Sequence, residues 1–270
     1  AMSTYSGFPW GVAAKISRGA EIGKHGLMWQ CPTCRTARPV PRTKTPVRCA
    51  CGHSLSSVNE VRVVDASPPP QSPDWVPLIV GSDVTRYRSD ASRYIRLGVP
   101  GLRYKQLDPG ATKLLVRKTG VGIQAAMDTS GAHTVQTVFD VTAAGQASDE
   151  ILYFLLGVLN SRPLQAFHLR RSGDLEWRSH PYVTPKLIMR LPIPDPMDSP
   201  RLSAMIAELA REMSETPSSQ VDGRLDSLVA DLFGIGSDGV SWSRQVLASA
   251  QQLRAISQLL DSPEEAPLGS

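Results

Sequence analysis

The chain has few cysteines, few aromatics and almost no asparagine. Of its 270 residues four are cysteine and 6% are aromatic, and asparagine occurs only as Asn59 and Asn160. No apolar run approaches the roughly 18 residues that a membrane-spanning helix needs; the best, Ile151 to Leu159, is far too short. Ala1 to Trp10 lack the basic start and apolar stretch of a signal peptide, which predicts a cytoplasmic protein. Ala1 ahead of Met2 reads as an addition, so a whole gene product beginning at Met2 is expected. No G-x-S-x-G, H-E-x-x-H or Walker sequence occurs, and no nuclease-like carboxylate–lysine cluster. The histidines, at positions 25, 53, 133, 168 and 180, fall in no triad or metal spacing, and His168 and His180 read as surface residues, with DNA-facing positions as the alternative. GIGSDG at Gly234 to Gly239 has the glycine spacing of a dinucleotide loop but follows a helix pattern, so it reads as a helix cap and turn.

What is present is globular: 41% of residues are hydrophobic and 20% charged, on a chain long enough for one large domain or two ordinary ones. The net charge of +4 conceals an asymmetry. Residues 1 to 120 hold 18 basic against 7 acidic side chains, whereas residues 201 to 270 hold 5 against 10. A positive front suits a polyanionic partner. Scattered solvated arginines would give the same count.

The four cysteines lie together as Cys31, Cys34, Cys49 and Cys51, in a C-x2-C-x14-C-x-C pattern. Two close pairs joined by a loop that folds back suit a tetrahedral thiolate zinc site. Pro32 and Gly52 fit the tight turns that aim paired thiolates at one ion, and His53 is an alternative ligand in place of Cys49 or Cys51. Disulfides are the competing reading, disfavoured in a reducing compartment. A closed four-thiolate site leaves no position for substrate, so the expected zinc is structural. The loop between the pairs carries Arg35, Arg38, Arg42, Lys44 and Arg48 without an acid, which makes it either a phosphate-facing finger or a solubilising one.

Beyond the knuckle, strands are predicted at Val58 to Val64, Val76 to Val80, Lys113 to Arg117, Gly122 to Ala126 and Thr134 to Val141. Ala66 to Pro73 is a stiff proline-rich connection. Helices are predicted from Ile151 to Asn160 behind an acidic start at Ser148–Glu150, and after the Ser199–Pro200 opening. Two more follow, on the apolar spacings Leu225 to Phe233 and Val246 to Leu260. The fold class is α+β, a β-rich body followed by an α-helical C-terminal region. The apolar stripes of these helices are expected to bury against the chain's own sheet, or against a partner or second copy.

Six segments in order resemble the TaqI-like C-terminal specificity domain, the target-recognition domain of adenine-N6 DNA methyltransferases and fused restriction-modification enzymes. They are AKISRGAEIGK (Ala14 to Lys24), PLIVGSDVTRY (Pro77 to Tyr87), KLLVRKTGVGIQAAMD (Lys113 to Asp128), LYFLLGVLNS (Leu152 to Ser161), KLIMRLPIP (Lys186 to Pro194) and the helix Leu225 to Phe233. The resemblance implies a target-recognition domain over residues 12–197 with the zinc knuckle inserted at 29–56, a helical region at 198–262 and a flexible tail at 263–270. The Asn/Asp-Pro-Pro-aromatic tetrad of adenine-N6 methyltransferases is absent, since neither asparagine precedes proline and Asp108-Pro109 and Asp195-Pro196 lack a second one.

The implied protein is therefore not an enzyme and has no S-adenosylmethionine site. It would be a stand-alone specificity subunit that binds double-stranded DNA and serves a separate methyltransferase catalytic subunit, in restriction-modification or phage defence, with a homodimer through the C-terminal helices as an option. Candidate DNA contacts are Arg18, Lys24, Arg86, Tyr87, Arg88, Arg117, Lys118, Arg178 and Tyr182, because the arginine fork matches guanine edges and phosphates. Arg117 and Lys118 are alternatively partners for Asp128 or Asp140, and Tyr87 a core residue. Other readings are a zinc-containing DNA-binding targeting or sensing subunit of a nuclease, and an RNA-binding zinc ribbon.

Overall fold

The computed structural model describes residues 7–67, 73–103, 111–145, 147–172 and 182–249, with Lys24 described by its backbone alone. Strand β1 (Ala14–Arg18) is followed by the knuckle strands β2 (Leu27–Gln30), β3 (Ala37–Pro39), β4 (Val47–Arg48) and β5 (Ser54–Leu55). The β body continues with β6 (Glu60–Arg62), β7 (Val64–Asp65), β8 (Trp75–Ile79), β9 (Arg93–Arg96), β10 (Lys113–Arg117), β11 (Ala125–Asp128), β12 (His133–Thr134) and β13 (Val138–Ala143). The helices are α1 (Glu150–Asn160), α2 (Arg162–Ser172), α3 (Pro185–Met189), α4 (Pro200–Glu215), α5 (Ser219–Leu232) and α6 (Gly236–Ser249). The chain is thus mixed α+β with a helical C-terminal region.

The central antiparallel sheet runs β1-β13-β10-β11 and is apolar on both faces. Leu114, Val116, Ala125, Phe139 and Val141 join the main core with α1, α4 and α5. On the other face Leu115, Ala126 and Val138 meet Ile79 and Val84 from the β8 region. That double burial is why Leu114 to Val116, between two charged strand ends, read as an apolar run rather than an alternation. A second sheet, β12-β8-β9-β7, is mixed, with β12 parallel to β8 and the other pairs antiparallel. A third, β3-β2-β6, carries the knuckle.

Two predicted strands divide between sheets. The apolar stretch Thr134 to Val141 contributes β12 to the second sheet and β13 to the central one. The break falls at Gln136, whose side chain accepts from the Ile22 N–H (3.0 Å) and donates to the Ile22 carbonyl (2.8 Å). Val58 to Val64 likewise becomes a 3-10 turn at 57–59 followed by β6 and β7. The strand expected at Gly122 to Ala126 lies later, as β11, because Ile123 is held at both backbone groups by Gln165 of α2.

The predicted helices follow their patterns closely, whereas α2 and α3 form where the sequence reading placed no helix. Glu150 in the first turn of α1 ion-pairs with Arg211 of α4, and Ser199–Pro200 opens α4 as expected. Gly234, at φ 67°, closes α5, and α6 begins two residues later, so GIGSDG is a cap and turn. Ile206, Leu209, Ala210 and Met213 of α4 and Leu225 and Val229 of α5 pack into the main core. The stripes are therefore covered by this same chain. The predicted helix beyond Ser249, and the tail, lie outside the described residues.

Gly157 permits the close crossing of α1 and α4: a Cβ there would lie 2.8 Å from Cγ2 of Ile206 and 3.2 Å from Cβ of Ala210. Gly157→Val is expected to cost about 1–3 kcal/mol through overpacking, read as a lowered urea midpoint with an unchanged slope.

Candidate thiolate centre and nucleic-acid interface

The four cysteines converge: one sulfur from each lies within 4.8 Å of the others. Cys31 Sγ is 3.4 Å from Cys51 Sγ, and Cys34 Sγ is 3.4 Å from Cys49 Sγ. Tetrahedral thiolates at the usual zinc–sulfur distance would be separated by about 3.8 Å, so the spacing fits such an ion. Each pair sits on a tight turn. Arg35 N–H donates to the Cys31 carbonyl (2.9 Å) with Arg35 at φ 62°, and Gly52 N–H donates to the Cys49 carbonyl (2.9 Å) with Gly52 at φ 90°. The left-handed residue expected in the second turn is thus Gly52, whereas in the first it is Arg35. His53 is exposed and outside the sulfur cluster.

Local dipoles already favour thiolates. Hydrogen bonds from the Thr36 hydroxyl and N–H pull the Cys34 thiol down to about 6. The Cys34 N–H lowers Cys31 against the effect of its burial. At Cys51 the His53 N–H favours the anion, yet the neighbouring cysteines and burial push it up to about 11. Sulfurs this crowded resist full deprotonation without a cation among them, and a divalent ion removes that conflict. Trp29, Cys31, Cys49 and Leu55 form a small core of their own around the site.

The candidate basic residues separate into two groups. Arg18 ends β1 opposite Phe139, and Arg117 ends β10 opposite Val138, so both flank the start of β13 at one end of the central sheet. Lys118 follows, its N–H bonded to the Thr137 carbonyl (2.9 Å) and its own carbonyl accepting from Val183 N–H (2.7 Å). Tyr182, 59% exposed, bridges to Thr119 beside them. Arg18, Arg117, Lys118 and Tyr182 therefore lie at one end of the sheet, Arg18 on the face of Phe139 and Arg117 on the opposite face, that of Val138, and partial burial lowers the pKa of Arg117 from its ordinary value. Arg88 is half-buried in the turn beyond β8, Lys24 lies on the backbone turn before β2, and Arg178 lies outside the described residues, as does His180.

Arg86 and Tyr87 are a correction. Arg86 is only 5% exposed, and its guanidinium forks onto Asp222 of α5 (2.7 and 3.3 Å) while donating to the Asn160 carbonyl (3.0 Å). Arg162 joins from α2, 2.9 Å from Asp222 and 2.8 Å from Asp226. Tyr87, 1% exposed at φ 66°, packs in the main core under the Arg86 guanidinium (5.4 Å to the ring centroid). Neither side chain has a face left for DNA. Burial raises the Asp226 carboxyl above its ordinary value against the pull of Arg162. His168 is also buried rather than on the surface. Asp128 pairs with buried Lys113 (3.2 Å), and Asp140 accepts from Thr134 (2.9 Å).

Asn160 completes the internal network. Its amide brackets Ala125 of β11, accepting from the N–H (3.0 Å) and donating to the carbonyl (2.9 Å). The arginine of one motif segment and the asparagine of another therefore meet inside the fold. Sequence reasoning missed Arg162, Asp222 and Asp226 as members of this site. It also passed over Arg93 and Arg96, exposed on β9.

These features define a class: a mixed α+β protein with a four-cysteine knuckle whose sulfurs could hold a metal ion, and with basic residues at one end of its central sheet. Within it, residues 76–193 match the family model described as the TaqI-like C-terminal specificity domain. The match runs from β8 through α3. The knuckle, β1 and α4–α6 lie outside it, so the Ala14 to Lys24 and Leu225 to Phe233 resemblances extend beyond the matched segment. Such a domain supports a DNA-recognition role in restriction-modification systems. Among curated proteins the chain finds no match. No helix among the described residues is long and apolar enough to cross a membrane.

Proposed function

We propose that the chain is a stand-alone specificity subunit that reads duplex DNA and acts in trans with an adenine-N6 DNA methyltransferase of a restriction-modification or phage-defence system. The observation that carries this reading is the specificity-domain match at 76–193. An adenine must leave the base stack before its N6 can react, so the catalytic half holds the flipped base while a second body grips the duplex. In this reading the second body is the present chain, which performs no methyl transfer and binds no S-adenosylmethionine. Arg18, Arg117, Lys118 and Tyr182 form its leading contact edge, with Lys24, Arg88 and Arg178 as further candidates. Most would hold phosphates, and few would read base edges. The Cys31–Cys34–Cys49–Cys51 cluster takes one structural zinc, in a cytoplasm that keeps the thiols reduced.

Deleting the gene in its host is expected to abolish genomic N6-methyladenine at one sequence motif, read by methylome sequencing. Unchanged methylation overturns the reading. If the tagged protein then recovers a nuclease instead of a methyltransferase, the chain is a DNA-targeting subunit of that nuclease.

A further inference from the structure

The knuckle carries a second concentration of charge that the strand-end cluster does not include. No Asp or Glu occurs between Glu21 and Glu60. Arg35, Arg38, Arg42, Lys44 and Arg48 are all exposed in that interval, and none forms an ion pair with a described residue. Exposed Thr33, Thr43 and Thr45 add hydroxyl donors among them. Residues 32–48 contain no aromatic residue, and no large apolar side chain is exposed there. Protein interfaces are centred on aromatic and apolar anchors, whereas phosphate contacts come from Arg, Lys and Thr side chains. The composition of the tip selects the second kind of partner.

The tip is also firmly mounted. Its inner side is fixed by Trp29, Cys31, Cys49 and Leu55, and β4 pairs with β5. Its base is joined to the matched domain: Ala37 N–H donates to the Pro100 carbonyl (2.6 Å), and a Cβ on Gly101 would lie 2.5 Å from the Ala37 carbonyl oxygen. Ala37, Val99 and Leu102 share one apolar cluster with Leu78 and Ile95 of β8 and β9. Arg62, Arg93, Arg96 and Arg103, all exposed, lie on the strands and loop that carry the knuckle. A cationic tip held at a fixed position on a DNA-reading body is a clamp for the backbone of the same duplex.

We propose that the knuckle tip, through Arg42, Lys44 and Arg48 with their neighbours, is a sequence-independent phosphate clamp on duplex DNA, outside the base pairs that the specificity domain reads. This rests on the DNA-binding reading above, but it can fail alone. The test uses the full-length zinc-loaded protein and a labelled random-sequence DNA duplex, with affinity measured by fluorescence anisotropy at several NaCl concentrations. Each neutralised phosphate contributes about 0.9 to the salt slope. The triple variant R42Q/K44Q/R48Q should therefore lower the slope by about 2.7 if each side chain holds one phosphate. Zinc content and melting temperature verify that the variant is folded, and R117Q/K118Q measures the strand-end cluster separately. A wild-type slope retained by the triple variant overturns the clamp and leaves the DNA-reading proposal standing. No duplex binding by the wild-type protein, or a preference for single-stranded RNA, overturns both. Loss of a co-purifying protein with DNA affinity intact makes the tip a protein contact and overturns the clamp.

Discussion

Asp222→Asn is expected to destabilise the protein by about 3–5 kcal/mol, the usual cost of removing one partner from a buried ion pair. Asp222 is completely buried and is the carboxylate shared by Arg86 and Arg162, at 2.7 and 2.9 Å. Without it, Asp226 remains a carboxylate partner of Arg162, while Arg86 loses its forked contact to Asp222 and keeps the Asn160 carbonyl. The effect is read as the free energy of urea unfolding at neutral pH. Arg86→Met added to Asp222→Asn should recover part of the loss, because the buried charge that Asp222 had faced is then removed as well. Contacting charged pairs typically show couplings of about 0.5–3 kcal/mol in such a cycle. A single-variant loss below about 1 kcal/mol, the range of exposed pairs, would mean that water reaches this cluster.

Removing the proposed zinc should produce the other large effect. Structural zinc contributes on the order of 10–16 kcal/mol of binding free energy in zinc-finger peptides, and the knuckle's own core of buried residues is four side chains wide. Chelation, or Cys31→Ser, is expected to unfold the region around β2–β5 and expose Trp29, which is fully buried. Metal analysis of the wild type should give about one zinc per chain. The signal is a red shift of tryptophan fluorescence that disappears in a Trp29→Phe control. The helical far-UV signal should persist, because α1, α4 and α5 pack in a separate core. A metal-free wild type with Trp29 still buried would remove the zinc assignment.

The thiolate spacing and the helices were legible because both are local. Four cysteines within 21 residues state their chemistry directly, and α4 and α5 repeat apolar residues at helical spacing. The sheets were less legible. An apolar run states that it is buried but not which sheet it joins, and Thr134 to Val141 serves two. Arg86 was misread for a related reason: an arginine in a motif resembles a ligand contact, and its real partner lies 136 positions away, whereas Tyr87 takes the core place that the sequence offered as its alternative. One signal was present. Asp222 and Asp226 stand four apart on the same helical face as Val221, Leu225 and Val229, so two carboxylates were on the buried side of α5 and required buried cations. The strand-end cluster left no such trace, because β1 and β10 become neighbours of β13 only through long-range register.

Those carboxylates also bear on how the molecule divides. The similarity to specificity domains ends at residue 193, yet Arg86 and Arg162, inside that segment, have their counter-charges on α5, outside it. A fragment cut at the border of the similarity would lose the α5 carboxylates that hold two guanidinium groups in place, and would bare the apolar face where α4 and α5 had rested. The unit that holds together is therefore longer than the stretch that sequence kinship marks out. Any graft of this domain into another protein has to carry α4 and α5 along.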